Sequence, residues 1–210
     1  VQTCALPIYE DLNKKRSNLL KQILSLVSTE IYTHSSCLTE RLIRDFGAKE
    51  KIRTIFHPTF ETIHYIPSKS LEDNSLSYFD KSKIAILFFG YIRKYKGLQN
   101  ILPYFEGDDC YKHCQLLIVG ADNFYSENHS EKNALINRIQ NNRNIYSYLS
   151  FIDDDKVHLY LNSADILIIP YDQSDTSGIA MLAITFGKTA IIKRSSFTDS
   201  FSSDSPFIVY

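Results

Sequence analysis

Two short stretches carry residue types suited to holding an anion. FGYIRKYKG, residues 89–97, places Arg93, Lys94 and Lys96 between Gly90 and Gly97, in a loop that feeds an apolar helical pattern. SDTSGIAM, residues 174–181, places a Ser-Gly turn, Ser177-Gly178, just before a helix-spaced apolar run. Amides at a helix start point outward and carry partial positive charge, so each stretch offers an anion a seat. Ser177 adds a hydroxyl, Gly178 admits close backbone approach, and Arg93 and Lys96 add full charge. Two such ends facing one crevice suit a diphosphate better than an isolated charge. Asp175, in the second stretch, reads equally as a carboxylate directed at a ligand or as a cap for the following helix. Residues 178–187 carry no charge. The side chains of Ile179, Leu182, Ala183 and Phe186 fall at helix spacing and read as core.

Other clusters read more plainly. CYKHC puts Cys110, His113 and Cys114 within reach of one ion, but no second ligand cluster accompanies them, so ordinary thiols are expected and no metal site. The run from Asp153 to Asp155 lacks a clustered ligand pattern, and Asp153 is expected to cap a helix. His34, His57 and His158 read as structural or surface residues. Lys14, Lys15, Arg16 and Lys21 form a basic patch, either a solvated helix face or a peripheral contact with anionic lipid on the inner membrane. The formal net charge of −1 argues against bulk binding to nucleic acid. Apolar runs such as IAILFFGYI, residues 84–92, are strand-length and too short to span a bilayer. At 210 residues and 44% apolar, the chain can build one good core and part of a second.

The elements that must position these residues follow from periodicity. Residues 9–30 read as an amphipathic helix, 31–35 as a short strand, 38–46 as a helix closed by Gly47, and 52–56 as a strand stopped by His57-Pro58. Residues 61–82, with Pro67, several serines and mixed charge, read as a linker. From residue 83 the rhythm becomes strand, turn, helix, repeated. Residues 84–89 are a continuous apolar run suited to a strand buried on both faces. Leu98, Ile101, Leu102 and Phe105 make a helix that Pro103 should kink. Strands are expected at 116–119, 145–151, 166–169, 190–192 and 207–210, with helices over 131–140, from Asp153 through Ala164, and over 178–187. Strands separated by helix-length crossovers must pair in parallel, which gives an α/β doubly wound sheet. Ligands collect at the carboxyl ends of such strands, which gathers residues 90–96, 120–123, 151–153 and 171–178 around one crevice.

In this order LFFGYIRKYKGLQNIL, LLIVGADN, NIYSYLSFIDDDKVHLYLNSADILIIPY and TSGIAMLAITFGKTAII resemble the C-terminal half of family 4 glycosyltransferases, retaining enzymes of the GT-B fold. The likeness runs over residues 31–207. It implies that Lys96, in the family's Lys-Gly pair, holds the donor diphosphate beside Gly90, with Ser177, Gly178 and Ile179 at its other end. The family's partner Arg directly follows the glycine matching Gly90. Tyr91 stands there in this chain, and Arg93 is the candidate replacement. Phe151, Ile152 and Asp153 would meet the nucleobase, largely through backbone atoms. Asp175 matches the first of two glutamates that flank the family's Phe-Gly turn and would be catalytic. The second has no counterpart: Leu182 or Ala183 falls there, and a carboxylate on the ribose is not expected.

The resemblance therefore implies a glycosyltransferase, free in the cytoplasm or peripheral to the membrane's cytoplasmic face, that moves a sugar from a nucleoside diphosphate sugar to a glycan or lipid-linked acceptor in surface polysaccharide assembly. No cofactor is expected. A nucleotide-sugar epimerase on the same fold, or a non-catalytic Rossmann-like nucleotide-binding module, is the alternative. Residues 1–8 resemble a translated sequencing adapter and are set aside. Residues 9–60 are expected to be a remnant of an acceptor domain, 61–82 a linker, and 83–210 a nucleotide-sugar-binding domain truncated at its C-terminus. A fragment of that kind should turn over poorly or not at all.

Overall fold

A computed structural model of the chain describes residues 22–23, 26–47, 49–60, 80, 82–107, 112–122, 129–172, 176–201 and 203–210. The chain divides into two compact units, Val1–Phe56 and His57–Tyr210. The expected helix over 9–30 and the expected linker over 61–82 lie mostly outside the described residues.

The first unit holds β1 (Ile31–Thr33), α1 (Ser36–Phe46) and β2 (Ile52–Thr54), the two strands pairing in parallel with Ile31 opposite Ile52. Ser35 was expected to continue β1. It instead leaves the strand and caps α1, its hydroxyl accepting the Leu38 N–H at 3.1 Å, while Gly47 closes the helix. A serine hydroxyl competes for helix-start amides, and so ends the strand early.

The second unit is a single six-stranded sheet. Its strands are β3 (Ile84–Phe89), β4 (Cys114–Val119), β5 (Ile145–Tyr148), β6 (Ile166–Ile169), β7 (Thr189–Ile192) and β8 (Phe207–Val209). They lie in the order β5-β4-β3-β6-β7-β8, and every pairing is parallel. The crossovers carry α2 (Leu98–Phe105), α3 (His129–Gln140), α4 (Val157–Ser163) and α5 (Gly178–Thr185). The sheet starts at its centre, grows outward through β4 and β5, then returns to add β6 beside β3. This is the Rossmann-type order, with its switch point between β3 and β6.

Alternation along the strands sends side chains to two cores. Leu87 and Phe89 of β3 face one cluster with Leu117, Val119, Leu167 and Ile169, packed on Val157, Tyr160 and Leu161 of α4 and on the apolar α5. Phe88 faces the other cluster with Leu116 and Ile118, packed on Leu98, Ile101, Leu102 and Phe105 of α2 and on Leu135 and Ile139 of α3. Both faces of the sheet are therefore covered, which explains runs such as IAILFF that show no polar alternation. Each fully buried Leu, Ile or Phe contributes about 1.5–3 kcal/mol relative to exposure. At the amino end of the switch point, Asp165 clamps the two central strands. Its carboxylate accepts the Ala85 N–H at 2.8 Å, and its own N–H donates to the Ala85 carbonyl at 2.9 Å.

Pro103 lies inside α2, two residues before the helix ends at Phe105. The hydrogen bond it cannot make falls in the last turn, where helix ends are already loose. Phe60 belongs to the second unit: its N–H donates to the Thr185 hydroxyl at 3.0 Å and its ring packs on the α5 core. Among the described residues no helix is long and apolar enough to cross a membrane.

Candidate functional site

At the switch point the loops that follow β3 and β6 leave the same edge of the sheet side by side. The chain turns at Gly90, with φ at 98°, and its N–H donates to the Val119 carbonyl at 2.8 Å. A short 3-10 turn, Lys94–Lys96, then leads into α2 through Gly97, with φ at 69°. Gly97 lies against the Pro170 carbonyl at the end of β6, so closely that any Cβ there would collide with it. The Asp172 N–H donates to the Tyr95 carbonyl at 2.8 Å and ties the two loops a second time.

This packing brings Gly90, Lys96 and Ile179 together. A Cβ added to Gly90 would lie 3.0 Å from the Lys96 Nζ and 3.6 Å from the Ile179 Cδ1. The bare backbone of Gly90 leaves room for the ammonium, and a side chain there would press on it while meeting Ile179 at ordinary contact.

Lys96 is only 8% exposed. Burial pushes its ammonium from 10.5 down to about 8, and the positive charge of Arg93 adds to that shift. Its Nζ sits over the ring of Tyr171, 5.2 Å from the centroid. Among the described residues no carboxylate pairs with it. A buried cation of this kind is costly, and an anion beside it would relieve the cost. Arg93 is half-buried, and its guanidinium lies over the Tyr91 ring at 5.6 Å. The residue that stands in place of the family's Arg thus supports its candidate replacement.

On the β6 side, Ser177 is buried and caps α5. Its Oγ accepts the Ala180 N–H at 3.2 Å, and its carbonyl accepts the Met181 N–H at 3.2 Å. Its side chain also opposes part of the rise that burial causes in the Tyr171 phenol. It is therefore engaged within the protein, leaving the outward amides of the Gly178-Ile179 turn for a ligand. A Cβ on Gly178 would meet the Phe60 ring at an ordinary 3.8 Å, so packing on that side does not itself require glycine. Asp175 lies outside the described residues.

The third expected group sits elsewhere on the same edge. Phe151, Ile152 and Asp153 follow β5, two strands away from β3. Phe151 is 60% exposed and Ile152 is buried. Asp153 occupies the cap position of a short 3-10 turn without making the expected side-chain cap. Its carboxylate pairs with Lys156 at 3.2 Å, because a flexible ammonium one turn on competes successfully with the backbone amides. In the neighbouring loop Asp122 pairs with Lys132 at 2.8 Å, and Asn123 lies outside the described residues.

Sequence reading assigned no role to three tyrosines that shape the site: Tyr91, Tyr95 and Tyr171. The only signal was aromatic density in loops otherwise made of charged and small residues. The rings of Tyr95 and Tyr171 meet edge to face at 5.9 Å and 76°.

No protein-family profile and no curated protein matches the sequence. Solved structures do. HepE of Anabaena, in complex with UDP and glucose, matches with a TM-score of 0.68 at 12% identity, over 87% of this chain and 49% of that one. WaaG, a glycosyltransferase involved in lipopolysaccharide biosynthesis, matches at 0.66 and 15% identity, over 86% and 48%. Sucrose-phosphate synthase of Thermosynechococcus elongatus matches at 0.62 and 17% identity, over 86% and 44%. The chain spans about half the length of these structures. At such identities the likeness shows the fold: the second unit is a Rossmann-like doubly wound sheet of the GT-B type, the fold class read in the sequence.

Proposed function

We propose that this chain carries the donor-binding site of a retaining glycosyltransferase of family 4 type, its C-terminal half, using a nucleoside diphosphate sugar. The sugar would pass to a hydroxyl of a glycan or lipid-linked acceptor in surface polysaccharide assembly. The observation that carries this is Lys96: a buried ammonium at the switch point, without a carboxylate partner among the described residues, beside the first turn of a helix. UDP or UDP-glucose is bound in solved HepE structures of the same fold, which makes a uridine nucleotide the first ligand to try.

In the reaction the bond between the sugar C1 and the β-phosphate oxygen breaks, and one between C1 and the acceptor oxygen forms. The products are the glycoside, the nucleoside diphosphate and the proton of the acceptor hydroxyl. Lys96, Arg93 and the amides of Gly178 and Ile179 stabilise the charge that grows on the departing diphosphate, the step where preorganised donors matter most. No metal ion is required for that stabilisation. Phe151, Ile152 and Asp153 face the nucleobase through backbone atoms, and Asp175 acts on the sugar side. Donor binding is the part of the reaction assigned to this chain's own residues.

Calorimetric titration with UDP tests the assignment. Binding is expected, and Lys96→Ala should weaken it roughly ten- to a hundredfold through loss of a charge-assisted contact. Equal affinity in the variant, or no stabilisation of the wild type by any nucleoside diphosphate, overturns the assignment.

A further inference from the structure

We infer that Tyr171 is a positioning residue of this site: its ring seats the Lys96 ammonium and leaves that charge available to an anion. Its functional consequence rests on the diphosphate reading above, but the seating itself can be measured without any nucleotide.

Tyr171 is the first residue beyond Pro170, where β6 gives way to the loop leading to α5. The Lys96 Nζ lies 5.2 Å from its ring centroid, within the range of a cation held by an aromatic face. The ring is itself fixed, buried in the core cluster that contains α5 and edged by Tyr95. The backbone on either side is tied down as well, by Pro170 against Gly97 and by the Asp172 N–H on the Tyr95 carbonyl.

Burial pushes the Tyr171 phenol up, so it stays protonated and neutral and cannot act as a counter-charge for Lys96. The ring can attract the ammonium only through its quadrupole. That distinction matters for a binding site. A carboxylate would fix Lys96 and also cancel its charge, whereas an aromatic face fixes it and leaves the charge available to an anion. Because the same ring packs in the core cluster that contains α5, the seat of Lys96 is anchored to the layer from which that helix rises.

The test uses the full 210-residue chain. Two readouts are followed: calorimetric affinity for UDP, and titration of Lys96 by NMR of isotopically labelled lysine. Tyr171→Leu should weaken UDP binding roughly five- to thirtyfold. It should also move the Lys96 titration below its value of about 8, because the charged form loses its seat. Tyr171→Phe keeps the ring, so Lys96 should titrate, and UDP should bind, much as in the wild type. Phenylalanines of increasing fluorination at position 171 conserve shape while weakening the ring's negative face. They should lower both readouts stepwise, and they decide the matter if the leucine variant does not fold. Lys96 titration that is unchanged across the leucine and fluorinated variants reduces Tyr171 to core filling and overturns the inference. A protein that binds no nucleoside diphosphate, yet whose Lys96 titration follows ring fluorination, sinks the proposed function and supports the seating.

Discussion

The loops after β3 and β6 and the loop after β5 share one edge of the same sheet, and both contain charged and aromatic residues. They treat them in opposite ways. At the switch point Lys96 is buried, seated on a ring, and paired with no carboxylate among the described residues. After β5, Phe151 stands in solvent and Asp153 is answered by Lys156 one turn away. An exposed ion pair of that second kind contributes little to stability and asks for nothing further. A buried cation on an aromatic seat is a standing electrostatic deficit, and such deficits collect where ligands bind. Residue type alone does not separate the two loops; burial and the identity of the partner do.

Several measurements would break or sharpen this contrast. Gly97→Ala should give the largest effect, because it combines a left-handed backbone with collision against the Pro170 carbonyl. A loss of roughly 2–5 kcal/mol in denaturant unfolding is expected. A loss under about 0.5 kcal/mol, typical of an unconstrained surface site, would mean that the two loops are not packed as described.

The pH dependence should come next. Lys96 is charged below about 8, so UDP affinity is flat there and falls as pH rises past that value. The fall approaches tenfold per pH unit, about 1.4 kcal/mol, until the complex itself titrates. The stability of the ligand-free protein should move the other way. The unfolded chain holds this proton more tightly than the folded one, so stability rises with pH between about 8 and 10.5. Lys96→Met should abolish both slopes and raise the ligand-free melting temperature by roughly 3 °C. Slopes that persist in the variant would assign them to another group.

Asp153→Ala should give the smallest effect. Its loss in stability is expected to stay below about 0.5 kcal/mol, and UDP affinity should hardly change, since contact there is through the backbone. A tenfold loss of affinity would make the Asp153 carboxylate a working part of the site.

The central strands were legible because burial on both faces leaves an uninterrupted apolar run. IAILFF and ILII became β3 and β6 at the expected boundaries. The outer strand β5 ends at Tyr148, three residues short of the reading. Its partner among the described residues, β4, ends at Val119, and the last link of that ladder is the Gly120 N–H on the Tyr148 carbonyl. Lys96 was legible from its loop between a strand-ending glycine and a helix. Its seat was not, because Tyr171 is distant in sequence and a cation over a ring leaves no periodic trace. Nor could sequence decide that Asp153 would choose Lys156 over the helix amides, since both partners lie within one turn of it.

The pairing of β3 with β6 sets Ile86 opposite Ile166, the widest sequence separation of any pairing in this sheet. Contacts that close the longest loops form against the steepest entropy, and chains dominated by them fold slowly. Lys96 follows β3 and Tyr171 follows β6, so the site does not exist until those two strands have paired. A ligand held there can recognise only chains whose central closure is complete, and its binding would report on, and reinforce, that closure.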